Sequence, residues 1–179
     1  MHDVYFGTSL AAVTNATTAS PEYRGQQAGT LFDPTAVLAI TANTQYFWRI
    51  DTVAMGGAPI TKGDVWRYTT LAPPGLVSGP NPLNGATMVS TSTSLTWASA
   101  DRAEEYDVYF VSQAANAGLP AGDQIAVATQ TSATFQGTQS GRNFSPGMLS
   151  PNTTYLWRID AVNGAGTTTG TVFSFTTAP

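Results

Sequence analysis

Cysteine is absent from this 179-residue chain. Without thiols the chain cannot form disulfides, thiolate metal sites or a cysteine nucleophile. Histidine occurs once, as His2, so a Ser-His-Asp triad or a histidine-based metal site would have to be built at that position. We therefore predict no catalytic residues, no bound metal and no cofactor.

Charge is also scarce, because only 10% of the residues are charged, against about 25% in average soluble domains. The net charge is −4, Lys62 is the single lysine, and no run of basic residues occurs. Nucleic-acid binding requires clustered Lys and Arg, so nucleic acid is not an expected partner. The surface must be built from Thr, Ser, Asn, Gln and Gly, which favours a secreted or cell-surface protein.

Long apolar runs are missing as well. No segment approaches the roughly 20 apolar residues that a membrane helix needs, so we predict no membrane span. The first six residues show neither the basic nor the apolar region of a signal peptide, which a cleaved signal or a fragment would explain. Hydrophobic residues make up 42% of the chain, enough for folded cores.

An internal repeat organises the chain. Three segments recur about 107 residues later, and the matches are 3–6 with 107–110, 43–51 with 152–160, and 63–70 with 170–177. A period of this length is the size of a small domain. We predict a first domain at 1–72, an extended, semi-rigid linker at 73–79 and a second domain at 80–179.

The repeated segments have the pattern of β-strands. Tyr155, Trp157 and Ile159 share one face of such a strand, and Arg158 and Asp160 share the other. Gly, Pro and Asn clusters separate the strands, and no long stretch has a helical period. The sequence therefore predicts an all-β fold of two tandem sandwiches.

Segments 95–97, 106–109, 149–155 and 161–164 together resemble a fibronectin type III (immunoglobulin-like) repeat, of the kind found in bacterial surface and secreted proteins. The resemblance implies that Trp97 lies on buried strand B and that Tyr155 is the corner tyrosine whose hydroxyl bonds to backbone. The expected core residues are Tyr46, Trp48, Trp97, Tyr106, Tyr155 and Trp157. The fold hosts many functions and implies none by itself.

The first repeat departs from this pattern at its start. His2 aligns with Tyr106, so the first repeat opens at strand C and lacks strands A and B. Losing about four inward side chains costs about 6–12 kcal/mol, comparable with the 5–15 kcal/mol stability of a whole domain. We expect an unpaired edge at Val4 and Phe6, where assembly would occur.

Three explanations of the incomplete repeat stay open at this stage. The chain could be shortened, or strands from a neighbouring copy could complete it by donor-strand complementation. Alternatively, residues 8–42, which match nothing in the second repeat, could fill the gap from within.

Four acidic residues occupy equivalent positions in the two repeats, namely Asp3, Asp51, Asp107 and Asp160. An active site would be expected in one repeat only, so the repetition favours a surface role. We expect Asp51 and Asp160 to pair with Arg49 and Arg158 on the exposed face. Such exposed pairs contribute about 0–1 kcal/mol.

Two kinds of carbohydrate contact are conceivable. Exposed tryptophans could stack on sugars, but the alternation places Trp48, Trp97 and Trp157 inward, and Trp66 aligns with Phe173 as a structural residue. Candidate N-glycosylation sites are Asn15, Asn143 and Asn152.

The sequence favours a non-catalytic extracellular structural protein. We expect a subunit of a self-assembling surface filament in which copies complete each other's sandwich. Its partners would be copies of itself or adjacent repeats of a longer chain, with glycans as a further candidate. The alternative is a spacer or carbohydrate-binding module of a larger secreted enzyme or adhesin.

Overall fold

The computed structural model describes residues 1–57 and 60–179, which divide into two compact units, Met1–Ala72 and Pro73–Pro179. Strands dominate both units, which confirms the predicted all-β class. No helix among the described residues is long and apolar enough to cross a membrane.

The second unit is described in full and is a two-layered sandwich. Its strands are β6 (Ala86–Val89), β7 (Leu95–Thr96), β8 (Glu105–Ser112), β9 (Phe135–Gln139), β10 (Asn143–Phe144), β11 (Thr154–Asn163), β12 (Gly166–Thr168) and β13 (Val172–Thr177). The larger sheet has the order β6-β13-β11-β8-β9, with β12 also on β11, and the smaller sheet pairs β7 with β10.

The core of the second unit lies between these two sheets. Alternate residues of β11 point inward, and Trp157 and Ile159 are completely buried. Leu95 and Trp97 cover them from the smaller sheet. Trp97 meets Tyr106 edge-on at 5.7 Å between ring centroids.

The first unit contains one main sheet. Its described residues form β1 (His2–Gly7), β2 (Tyr23–Gln27), β3 (Gln45–Val53), β4 (Ile60–Thr61) and β5 (Val65–Thr69). The order is β2-β1-β3, and β3 pairs also with β4 and β5. No described residue of this unit forms a counterpart of β6 or β7.

A short helix, α1 (Leu10–Asn15), covers one face of that sheet. Ser9 caps it by accepting a hydrogen bond from the Ala12 amide at 3.2 Å. Val13 is fully buried and packs in one cluster with Tyr5 and Phe47. Part of the unassigned region 8–42 therefore covers this face and does not fill the other one.

The residues predicted as a linker, 73–79, belong to the second unit. The Gly75 amide donates to the Asp101 carbonyl at 2.7 Å, and the Thr168 hydroxyl donates to the Pro74 carbonyl at 2.7 Å. The Pro-rich composition suggested an extended spacer, but these bonds attach the segment to its own sandwich.

Candidate functional site

An apolar groove of about 480 Å³ lies on the face of the first sheet that α1 does not cover. Residues from four strands and from the loop after β2 line it, including Val4, Phe6, Phe32, Trp48, Ile50 and Tyr68. None of the described lining residues is Asp, Glu, Lys or Arg. The groove can therefore hold apolar groups but offers no charged partner.

The open face that contains the groove exposes side chains whose counterparts are core residues of the second unit. Phe173 and Phe175 on β13 are 8% and 1% exposed, whereas the equivalent Trp66 and Tyr68 on β5 are 58% and 38% exposed. Trp48, predicted to be a core residue, is only partly buried. In the second unit the sheet of β7 and β10 covers this face, and no described residue of the first unit forms a counterpart of β7.

The aromatic rings of the open sheet have the arrangement of a complete sandwich. Phe6 stacks on Tyr46 at 5.2 Å and Tyr46 on Tyr68 at 5.6 Å. The three equivalent rings of the second unit stack at 5.1 and 5.7 Å. The floor of the groove is thus in place without its covering layer.

Val4 and Phe6, expected at an assembly edge, lie on an internal strand. β1 is hydrogen-bonded to β2 on one side and β3 on the other. Both side chains are buried and belong to the groove floor. The expectation failed because the polar segment that forms β2 was not assigned as a strand. What is open in this unit is a sheet face.

The Arg–Asp pairs are buried, which corrects the expectation of exposed pairs. Arg49 and Arg158 are each 1% exposed, and their partners Asp51 and Asp160 are buried as well. The reason is that the connection between β1 and β2 in the first unit, and between β8 and β9 in the second, folds over this face. In the first unit that chain is residues 8–22, and in the second it is 113–134.

Arg158 is bonded through its whole guanidinium. Its Nε and Nη2 donate to the two carboxylate oxygens of Asp160, both at 2.8 Å. Nη2 also donates to the Ala128 carbonyl at 2.7 Å, and Nη1 donates to the Ile125 carbonyl. The guanidinium carbon lies 4.1 Å from the centre of the Tyr109 ring. Arg49 repeats this geometry with the carbonyls of Val13, Thr14 and Ala16.

A glycine completes each pair. The Gly170 amide donates to Asp160 at 2.8 Å, and a Cβ at that position would lie 2.0 Å from the Ile159 carbonyl oxygen. Gly63 repeats both features in the first unit. Burial raises the pKa of the Asp160 carboxyl, while the Gly170 amide and Arg158 act to lower that pKa.

The other repeated acids are bonded to neutral donors. Asp3 accepts from the Gln26 amide at 3.0 Å and the Tyr23 hydroxyl at 3.3 Å. Asp107 accepts from the side chains of Gln130 and Thr138. Within the described residues no three His, Cys, Asp or Glu side chains form a group that could hold a metal ion.

Three further expected core residues, Tyr46, Tyr106 and Tyr155, are buried, and each hydroxyl accepts a hydrogen bond from a backbone amide. The Tyr155 hydroxyl accepts from the Ser150 amide at 3.0 Å, and the Tyr46 hydroxyl accepts from the Thr41 amide at 2.9 Å. These bonds tie the turn before β3 or β11 to its strand. Tyr106 is buried, and its hydroxyl accepts from the Ala100 amide at 3.2 Å.

The three sequon asparagines, Asn15, Asn143 and Asn152, are all exposed. Asn15 ends α1, Asn143 begins β10, and Asn152 precedes β11 with a positive φ of 55°. Their glycosylation stays a prediction.

Comparisons with known proteins give structural matches only. No family model and no curated protein matches the sequence. The solved structure of FN3tt is 19% identical, with a TM-score of 0.33, and the match covers 56% of this chain and 90% of that one. A mutated FN3tt is also 19% identical, with a TM-score of 0.34, and the match covers 57% of this chain and 96% of that one. The FN1–FN3 domains of chicken CNTN1 are 15% identical, with a TM-score of 0.43 and 99% of this chain covered. The chain spans 54% of the length of that structure. All three TM-scores are below 0.5, so the all-β sandwich assignment of this chain rests on its own strands and their order.

Proposed function

We propose that this chain is a non-catalytic structural module of an extracellular or cell-surface assembly. Its first unit is completed by β-structure from a neighbouring chain, which in a self-assembling filament is another copy. The observation that carries the proposal is the open apolar face of the first unit, where Tyr68 in the groove and Trp66 beside it are exposed while the equivalent Phe175 and Phe173 are buried.

Covering the groove stabilises the first unit. Each large apolar side chain that passes from exposed to buried contributes about 1.5–3 kcal/mol. Leu31, Trp66 and Tyr68 gain most, because 86%, 58% and 38% of their surfaces are exposed. An exposed apolar patch rimmed by polar residues is typical of a protein interaction site.

The non-catalytic role is supported by the state of the acidic residues. The buried carboxylates of both units accept hydrogen bonds from Arg, Gln, Thr, Tyr or backbone amides. These bonds hold together the sheets and the connections that cover them. None of these carboxylates lines the groove.

A filament follows when the contact is heterologous. If the surface that fills the groove differs from the groove itself, each added copy leaves another groove open. The contact then repeats along one direction, and growth depends on the concentration of the chain.

The test is electron microscopy combined with light scattering on the purified chain. We expect regular fibres and a mass that rises with concentration. Trp66→Arg places a charge on the open face, against Trp48 of the groove, and is expected to abolish assembly. The matched control is Arg67→Ala on the same strand, because the alternation of β5 points that side chain away from the groove. A monodisperse monomer with full β-content would contradict the proposal.

The alternative of a carbohydrate-binding module rests on exposed Trp66. Its ring meets Trp48 edge-on, at 4.7 Å and 73°, so the two rings do not form a flat platform for a sugar. Affinity electrophoresis against soluble polysaccharides tests this function. Retardation that Trp66→Arg abolishes, in a chain that stays monomeric, would favour the alternative.

A further inference from the structure

We infer that the groove binds an extended, uncharged polypeptide strand, aligned antiparallel to Leu31 and Phe32, with large apolar side chains at alternate positions. The inference rests on the proposed function, because it takes the groove as a docking surface. It adds the chemistry, direction and register of the occupant.

The template for this register is the second unit. Gln27 in the first unit donates through Nε2 to the carbonyls of Gly29 and Leu31, at 2.8 and 2.9 Å. Gln139 makes the same two bonds after β9, at 2.8 and 2.6 Å. The match places Leu31 where the second unit has Asn143, the first residue of β10.

The aromatic contacts support the same alignment. The Phe32 ring lies 6.3 Å from the Phe6 ring, and the Phe144 ring lies 6.1 Å from the Phe110 ring. Residues 31–32 therefore occupy the position of β10 over the open sheet. They narrow the open face to a groove along one side, which suits a strand better than a second flat sheet.

In the second unit β10 has a partner strand, β7. Phe144 pairs with Leu95 and Asn143 with Thr96, antiparallel, and the Trp97 amide donates to the Arg142 carbonyl at 3.4 Å. By the same register, a strand docked in the first unit places one residue opposite Phe32. Adding a strand to an exposed backbone edge is an established mode of peptide binding.

In the docked strand, the position two residues after the one opposite Phe32 favours tryptophan. In the second unit Trp97 lies there against Tyr106, whose counterpart in the first unit is His2. The Nδ1 atom of His2 is buried, and no described residue bonds to it. The groove lining around His2 is mostly apolar, with Gln27 and Thr30 as further polar residues, so a large aromatic ring suits this position.

Charge limits the occupant further. The described lining has no Asp, Glu, Lys or Arg, so burying a charged side chain there would leave it unpaired. The segment that covers the equivalent face of the second unit carries no charged residue anywhere from 71 to 100. That segment is committed to its own core, with Leu95 and Trp97 buried. The occupant is therefore a different polypeptide segment of the same chemistry.

The first experiment titrates the full chain with a synthetic peptide of residues 76–98, labelled for fluorescence anisotropy. We expect saturable binding. A control peptide with Leu95→Asp and Trp97→Asp should bind at least tenfold more weakly. No saturable binding of the unmodified peptide, or equal binding of both peptides, would overturn the inference.

The second experiment tests the register, using the absence of cysteine from the chain. Leu31→Cys is introduced into the protein, where the side chain is 86% exposed, so folding should be unaffected. A peptide carrying Thr96→Cys should form a disulfide with it at least tenfold faster than a peptide carrying Ser94→Cys. Equal rates would refute the register.

The two proposals fail separately. If fibres form and the peptide neither binds nor blocks them, the strand inference is overturned and the self-assembly proposal stands. If the peptide binds a chain that stays monomeric at all concentrations, the strand inference stands and the filament is refuted.

Discussion

Replacing Arg158 by methionine removes the donor that connects the sheet of the second unit to its crossover. The change keeps a long apolar side chain but takes away the bonds to Asp160, Ala128 and Ile125. The Asp160 carboxylate would then be buried with the hydrogen bond from the Gly170 amide but without the guanidinium. We expect a large loss in the free energy of unfolding.

The magnitude follows from the burial of the pair. Removing one member of a buried, hydrogen-bonded ion pair costs about 3–5 kcal/mol, and each buried carbonyl left without a donor adds about 1–3 kcal/mol. Such terms are not additive, so we expect a loss of at least about 4 kcal/mol. A unit of this size is stable by about 5–15 kcal/mol, so most of its stability is at stake.

Urea unfolding followed by tryptophan fluorescence measures the loss. Trp48→Phe and Trp66→Phe are placed in the background so that the second unit alone supplies the signal. The matched control is Arg102→Met, because Arg102 forms an exposed ion pair with Asp101 in the same unit and should lose less than about 1 kcal/mol. If Arg158→Met loses no more than this control, the buried pair has the small value of a surface pair and the reasoning fails.

Three further changes test other parts of the structure in the same unfolding assay. Gly170→Ala should lower the free energy of unfolding by about 2 kcal/mol or more, because the added Cβ would lie 2.0 Å from a main-chain oxygen. Gly122→Ala, with open space around the added Cβ, should lower it by less than about 0.5 kcal/mol. Tyr155→Phe removes one acceptor from the corner turn and should lose about 0.5–1.5 kcal/mol; no loss would mean that the bond is replaced by water. Phe173→Ser should lower the free energy of unfolding by about 3–5 kcal/mol. Trp66→Ser, at the equivalent but exposed position, should lower that of the first unit far less when unfolding is followed by circular dichroism in the chain with its native tryptophans; equal losses would mean that the open face is covered.

Much of the fold could be predicted from the sequence because the two repeats support each other. The alternation in 43–51 and 152–160 identifies the long central strand of each sheet, and the turn residues before it identify the corner. The tyrosine hydroxyls at both corners bond to backbone amides. These features are local, so a short window of sequence contains them.

The buried ion pairs could not be predicted in the same way. Alternation shows that Arg158 and Asp160 share a face, but it does not show what covers that face. The covering chain has no period of its own and bonds to the guanidinium through main-chain carbonyls, which leave no trace in the sequence. Because the covering segment was unassigned, the paired residues were expected to face solvent.

The candidate site was foreseen in outline and misplaced in detail. The alignment of His2 with Tyr106 indicated that the first repeat starts at strand C. The sequence of β2, Tyr23–Gln27, does not alternate and predicts no strand, whereas the structure pairs it with β1. Whether Trp66 is buried depends on a second sheet that other parts of the chain would have to supply. The sequence of β5 carries no information about that sheet, so the exposure of Trp66 could be seen only in the structure.

The buried arginines recognise the crossover chain without regard to its sequence. Each guanidinium donates to carbonyl oxygens, which every amino acid possesses. The connections held by Arg49 and Arg158, residues 8–22 and 113–134, differ in length and composition. The outer connection of either unit is therefore a place where foreign segments can be grafted. A graft would need to place carbonyl groups at the same points above the arginine and an apolar side chain where Val13 or Ile125 is buried. A scaffold with this property could display varied loops from one unchanged pair of sheets.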